Sequence, residues 1–299
     1  MTGADPFVLR EGEAYYLYVT GNVPGVREPG IGVWRSRDLV HWEGPVGAKN
    51  GYALAAQDSW GDRGFWAPEV VPYRGQYYMF YTVQEHLAVA TARDPRGPFV
   101  QTKKEPLHRD TREIDPHVFI DDDGKKYFYF VRFDKGNVLY GAQLADDLLS
   151  VQDETTRFLL RASQPWEDLD DFKGTISEGP FVLKHKGLYY LTYSANHYQS
   201  DHYAVGYATS KHPLGPYTKS PHNPILQATD EVHGPGHHSF VLSPSGQELF
   251  IVYHTHYSTE HVGPRKLAID RAKFVADPEG GPDRLVVDGP TVERQPMPK

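Results

Sequence analysis

The feature that most constrains this chain is a repeat with a period of about sixty residues. Runs dense in Tyr, Phe and aliphatic side chains recur as YYLYVT from Tyr15, YYMFYT from Tyr77, YFYFVR from Tyr127, YYLTYS from Tyr189 and FIVYHT from Phe250. Their starts lie 62, 50, 62 and 61 residues apart. Each run is aromatic or β-branched and is bounded by turn formers such as Asp123-Gly124-Lys125 and His185-Lys186-Gly187. That is the pattern of a strand, not of a helix.

A second apolar segment precedes each run by about ten residues: Asp5-Pro6-Phe7-Val8-Leu9, Ala67-Pro68-Glu69-Val70-Val71, Asp115-Pro116-His117-Val118-Phe119, Glu178-Gly179-Pro180-Phe181-Val182 and His237-His238-Ser239-Phe240-Val241. A third strand-like piece follows each run, beginning at Gly30, Leu87, Leu139, Tyr203 and Lys266. Fourth pieces are expected at residues 36–42, 92–99 and 210–217, the last two sharing a Gly-Pro-aromatic ending. Four antiparallel strands recurring five times predict an all-β fold, a five-bladed β-propeller with four antiparallel strands per blade. The rhythm has no break, so residues 1–299 are expected to form a single domain. The long polar connection 146–173 leaves room for an insertion or a short helix.

Composition narrows the chemistry. At 299 residues the chain buries a sizeable core without covalent staples. It has no cysteine, which excludes disulfides, a thiol nucleophile and thiolate metal sites. A net charge of −8 without basic clusters argues against nucleic acid as a partner. No apolar run approaches the ~18 residues that span a bilayer, so no membrane partner is expected. Met1-Thr2-Gly3-Ala4-Asp5 is not a basic stretch leading into an apolar one, and the corresponding expectation is a cytoplasmic protein.

In a propeller the first strand of every blade lines the axis, and the residues that lead into these strands converge at one end. Here they include Asp5, Asp115, Glu178 and His237. Four titratable groups in one axial pocket are costly to desolvate unless they are paired or used. Singly, each has a plain structural role: Asp before Pro serves in turns, Glu before Gly-Pro in loops, and the His237-His238 pair as packed histidines. Their shared phase in the repeat singles them out. Aligned on Phe7, Phe181 and Phe240, Asp5 falls opposite Gly179 and His238. Glu178 and His237 then come one residue earlier, on what strand alternation would make the opposite face.

Carboxylates converging without a thiol or a Ser-His-Asp arrangement suit glycoside hydrolysis. One carboxylic acid protonates the leaving oxygen, while another carboxylate activates water or attacks the anomeric carbon. A third nearby raises the proton affinity of the acid. The 20 Tyr, 14 Phe and 5 Trp suit a pocket that stacks on sugar faces. Trp66 is the foremost platform; its alternative is a Trp packed between blades.

The ordered set Ala4-Asp5-Pro6-Phe7, Trp66-Ala67-Pro68-Glu69-Val70, Ile114-Asp115-Pro116, Ser177-Glu178-Gly179-Pro180 and Gly234-Pro235-Gly236-His237-His238-Ser239-Phe240 resembles glycoside hydrolase family 43 over essentially the whole chain. The resemblance implies a five-bladed propeller that hydrolyses with inversion. Asp5 would be the general base, Glu178 the general acid, and Asp115 the residue that orients the acid and tunes its proton affinity. His237, at the family's Gly-x-Gly-His position, would coordinate a calcium or other cation on the axis, largely through waters. Arg265 in Gly263-Pro264-Arg265 would contact the sugar, with His238 a further substrate-side residue. Inversion implies a base–acid separation of about 6.5–9.5 Å to admit a water. Relatives of this kind act on α-L-arabinofuranosides, β-xylosides or arabinan. The expectation is therefore an exo-acting α-L-arabinofuranosidase on arabinan or arabinoxylan oligosaccharides, a pentose-containing hemicellulose-type partner, with a β-xylosidase next.

Three rivals remain at this level. A fructan- or sucrose-cleaving propeller would carry Asn-Asp-Pro-Asn and Glu-Cys motifs, which this chain lacks. A metalloenzyme would use His254-Thr255-His256, supplemented by Asp201, His202 and His261. The last rival is a sugar-binding propeller without catalysis.

Overall fold

A computed structural model describes residues 1–170 and 174–299. Its strands fall into antiparallel units that follow the repeat. The first unit holds β1 (Ala4–Glu11), β2 (Ala14–Thr20), β3 (Gly30–Ser36) and β4 (Tyr52–Ala55), and the second β5 (Trp66–Tyr73), β6 (Gln76–Val83) and β7 (His86–Ala92). The third holds β8 (Glu113–Ile120), β9 (Lys126–Phe133), β10 (Gly136–Leu144) and β11 (Val151–Leu160). The fourth comprises β12 (Thr175–His185), β13 (Leu188–Ala195), β14 (Ala204–Ser210) and β15 (Thr218–Lys219), and a short parallel β10–β12 pairing joins it to the third in one eight-stranded sheet. The fifth comprises β16 (Gly236–Leu242), β17 (Leu249–Thr255), β18 (Lys266–Val275) and β19 (Arg284–Val287). The aromatic runs are the second strands β2, β6, β9, β13 and β17.

The expected fourth pieces are turns. Residues 36–42, 92–99 and 210–217 lead toward β4, toward a single Thr91–Val100 bridge and into β15. Their Asp side chains bind local backbone: Asp38 Oδ1 accepts the amides of Val40 and His41, and Asp94 Oδ1 that of Arg96. Such local bonds compete with a ladder. In the 146–173 connection the structure places β11 and a 3₁₀ turn at Pro165–Glu167; residues 171–173 of that connection lie outside the described residues.

Apolar cores sit between neighbouring units. Leu9, Tyr18, Val70 and Tyr81 join the first unit to the second. Phe80, Phe128 and Phe130 join the second to the third, and Tyr129, Val131, Leu191 and Tyr193 the third to the fourth. Tyr190, Tyr207, Ile251 and Tyr253 link the fourth to the fifth, while Val8, Leu17, Val241 and Val252 link the fifth to the first. The first strands touch in the same order, β1 with β5 and β16, β5 with β8, β8 with β12, and β12 with β16. At the seam Thr2 pairs with Lys266, and Leu267 N–H donates to Met1 O at 3.0 Å. This arrangement brings the leading ends of the first strands together.

Candidate active site

Every first strand carries a bulge where its ladder with the second strand slips, between Ala4 and Phe7, Trp66 and Glu69, Ile114 and His117, Glu178 and Phe181, and Gly236 and Ser239. The residues at the bulges, Asp5, Ala67, Asp115, Gly179 and His237, have φ of 49°, 43°, 56°, 55° and 44°. Such values are strained for any residue but glycine and persist only where the surroundings over-determine them.

The bulges correct the alignment made on phenylalanines. Ser239, not Phe240, is the counterpart of Phe7 and Phe181, so His237 shares the position of Asp5 and Asp115. Glu178 alone comes one residue earlier, at the position of Ala4, Trp66, Ile114 and Gly236. A bulge breaks strict alternation, and Glu178 therefore opens onto the same space as Asp5 and Asp115 despite the offset.

That space is a cavity of about 360 Å³ lined by Asp5, Asp115, Glu178, His237, Arg265 and Trp66 together with residues from each unit. Trp66 is 37% exposed, at the mouth and not in a core. His238 lies elsewhere. It lines a narrow void of about 20 Å³ beneath the bulges, with Nε2 2.6 Å from Thr192 Oγ1.

The two halves of the cavity treat their carboxylates differently. On one side Arg265 Nη1 donates to Asp5 Oδ1 at 3.0 Å, and His237 Nδ1 and His254 Nδ1 stand 3.4 Å and 3.3 Å from the same oxygen. Burial alone would raise the proton affinity of Asp5; the Arg265 guanidinium leads the groups that outweigh it and hold the carboxyl well below the usual carboxylate range. Burial, then Arg265, push the His254 imidazole down to about 3, so it is neutral. On the other side Glu178 receives neutral donors, Tyr203 Oη at 2.9 Å on Oε1 and Asn137 Nδ2 at 2.9 Å on Oε2. Burial dominates there, over these two bonds and with a contribution from the Asp5 charge, and pushes Glu178 up to about 7. Asp115 is raised well above the carboxylate range by burial, then by Glu178 and Asp5, while the Gly179 N–H at 3.1 Å opposes the rise. Asp115 and Glu178 titrate as a pair. Near neutral pH one side is ionised and the other holds a proton.

His254 lies within a repeated run and is marked there only as part of a metal pair, whereas nothing in the repeat ties Tyr203, at the head of a third strand-like piece, or Asn137, outside the aligned segments, to Glu178. Two glycines admit them. A Cβ on Gly136 would stand 2.1 Å from Thr175 O, so only glycine lets the β9–β10 hairpin approach β12 and bring Asn137 to Glu178. A Cβ on Gly236 would meet the Tyr203 ring at 2.3 Å.

The donors around His237 bear on the expected axial cation. Among the described residues no three His, Asp or Glu side chains converge as a cation site. His237 Nδ1 faces Asp5 at 3.4 Å and Asp115 Oδ2 at 3.9 Å. This set does not fit a directly ligated ion. The His254-x-His256 pair also divides: His254 serves Asp5, whereas His256 Nε2 lies 2.9 Å from Tyr198 O.

The family model described as glycosyl hydrolases family 43 matches residues 1–278. The chain belongs to this family. By that membership it is a glycoside hydrolase. A solved structure, named as an endo-1,4-beta-xylanase from Bacteroides thetaiotaomicron VPI-5482, is 39% identical with a TM-score of 0.87, over 97% of this chain and 95% of that one. A beta-D-galactofuranosidase of Aspergillus niger is 26% identical over 96% of this chain and 84% of its own length. A xylosidase/arabinosidase of Butyrivibrio fibrisolvens is 29% identical over 74% of this chain, but the match spans 42% of that longer protein.

Proposed function

We propose that the chain is a single-domain inverting glycosidase on a five-bladed propeller, an exo-acting α-L-arabinofuranosidase on pentose oligosaccharides. The opposed proton affinities of Asp5 and Glu178 in one cavity carry this reading. Ionised Asp5 accepts a proton from the attacking water, and protonated Glu178 donates to the leaving oxygen as the glycosidic bond breaks. Asp115, through the repulsion that resists ionising both carboxylates of the pair and through its bond to Gly179 N–H, keeps a proton on the pair and aims the acid. Arg265 fixes Asp5 and reaches the bound sugar, and Trp66 stacks on its C–H face. The leaving group departs on the Glu178 side, where the ladder sets Asn137 beside both Phe133 and Ile176. Phe133, 42% exposed and lining the same cavity, offers it a flat apolar wall.

Walls contributed by every unit support exo action. Furanoside specificity draws on the relatives named for galactofuranoside and arabinoside substrates, and the xylanase and xylosidase names favour a β-xylosidase as the second reading. A cation enters this proposal only as a water-bridged ion at His237, and no step uses it. Metal analysis of the purified protein checks that point: a stoichiometric ion supports it, and its absence removes it.

The test is hydrolysis of 4-nitrophenyl α-L-arabinofuranoside and β-D-xyloside by wild type, Glu178→Gln and Asp5→Asn, with the first-formed anomer read by proton NMR. Turnover of the arabinofuranoside with inversion is expected, lost in Asp5→Asn; Glu178→Gln should lose turnover of an arabino-oligosaccharide, whose leaving oxygen needs protonation, and keep more of it on the nitrophenyl glycoside. Binding without turnover by the wild type would instead make the protein a sugar-binding propeller, and retention of the anomer would remove the base assignment.

A further inference from the structure

The strained bulges raise a question that the mechanism leaves aside: what holds them. Each bulge residue carries a backbone N–H facing the crowded axis, and a buried N–H must find an acceptor. Ala67 N–H donates to Thr20 Oγ1 at 2.7 Å, Asp115 N–H to Thr82 Oγ1 at 3.0 Å, His237 N–H to Ser194 Oγ at 2.8 Å and Asp5 N–H to His254 Nδ1 at 3.2 Å. In every case the acceptor comes from the second strand of the preceding unit. The acceptors also occupy one position of the repeat, facing Ala4, Trp66, Glu178 and Gly236 across their ladders. In the third unit that position is Val131, facing Ile114, which has no acceptor to offer. There, Asp115 Oδ2 takes the Gly179 N–H instead, at 3.1 Å.

We infer that this ring of side chains positions the carboxylates, and that Thr82 is the positioning residue for Asp115 and, through Asp115 and Gly179, for Glu178. The inference rests on the roles proposed above for Asp115 and Glu178. Thr82 is fully buried and is not among the residues lining the cavity, so its hydroxyl acts on the reaction only through the Asp115 backbone. Without it the Asp115 N–H is orphaned at a φ of 56°, since among the described residues Thr82 Oγ1 is the acceptor this amide has. Relaxation of the bulge then turns the Asp115 carboxylate away and releases the strand that presents Glu178.

Thr82→Val keeps the shape and removes the acceptor; Thr82→Ser keeps the acceptor. With folding checked by circular dichroism at the assay temperature, Thr82→Val is expected to lower kcat about 10-fold or more with KM within about twofold, because misplacement by a fraction of an ångström acts on the chemical step. Thr82→Ser should stay near wild type. A wild-type kcat in Thr82→Val, or an equal loss in Thr82→Ser, overturns the inference. A second variant works by addition and holds even if Thr82→Val does not fold. Val131→Thr places a hydroxyl at the vacant position, and in an Asp115→Ala background it should raise kcat about threefold or more over Asp115→Ala alone by restoring an acceptor to the Gly179 N–H. No gain sinks the inference. Should Asp115→Ala and Glu178→Gln both keep full activity, the site assignment itself falls and takes this inference with it; if both are impaired while Thr82→Val is not, only the inference falls.

Discussion

Glu167 and Glu178 are both buried glutamates near the start of the fourth unit, yet their surroundings could hardly differ more. Glu167, on the Pro165–Glu167 turn, accepts from Lys219 Nζ at 2.6 Å on each oxygen, from Tyr193 Oη at 2.5 Å, and from the amides of Ser163 and Gln164 at 2.6 Å and 2.5 Å. Glu178 has two neutral donors in the same kind of environment. A carboxylate that is charge-compensated and saturated with donors ties elements together. One that is buried with partial compensation keeps a proton available near neutral pH. The difference lies in the partners, not in the residue type or the depth of burial.

Exchanging the carboxylates for amides separates the two roles. The largest effect is expected for Glu178→Gln, a loss of at least about 10²–10⁴-fold in kcat/KM with substrates that need acid assistance, while thermal unfolding is little changed. Glu167→Gln should reverse the pattern. It leaves the half-buried Lys219 without its counter-charge, and urea unfolding should show a loss of ~3–5 kcal/mol, with activity per folded molecule unchanged. A fall in activity beyond the unfolded fraction would mean that Glu167 also shapes the site.

Asp115→Asn sharpens the contrast by changing the surroundings of Glu178 and not the residue itself. Activity requires Glu178 protonated, so the alkaline limb of kcat/KM should lie near its raised value of about 7. Removing a neighbouring like charge makes the protonated acid less favourable, so that limb should move to lower pH; a limb that stays in place would contradict the tuning role. The acidic limb belongs to Asp5 and should remain well below the usual carboxylate range in both proteins. The smallest effect is expected at Phe133. Replacing it with Ala should lower kcat/KM for a disaccharide about 3- to 10-fold, the range for loss of a stacked ring, and leave the methyl glycoside of the same pentose nearly unaffected. Equal losses on both would place Phe133 outside the leaving-group side.

Much of this was visible in the sequence. The second strands stood out because aromatic and β-branched runs between turns are a local signal, and Asp5, Asp115, Glu178 and His237 stood out because they share a phase. The fourth strands were misplaced, since residues 36–42 and 92–99 carry Asp side chains that bind their own backbone. The offset of Glu178 was misread because aligning apolar residues cannot reveal a bulge, and in the fifth unit it matched Phe240 where Ser239 belonged. Tyr203 and Asn137 were missed because they approach Glu178 from positions 25 and 41 residues away with no repeated spacing.

The amino-acid sequence by itself determined the period, the strands and the set of titratable side chains brought to one end of the molecule, since turn chemistry and side-chain alternation act over a few residues. Which carboxylate gives up its proton and which retains it was decided only by tertiary structure. Arg265 reaches Asp5 across 260 positions of chain, while the donors at Glu178 are uncharged. Electrostatic energy depends on separation in space and on the exclusion of water, and neither quantity is written along the chain.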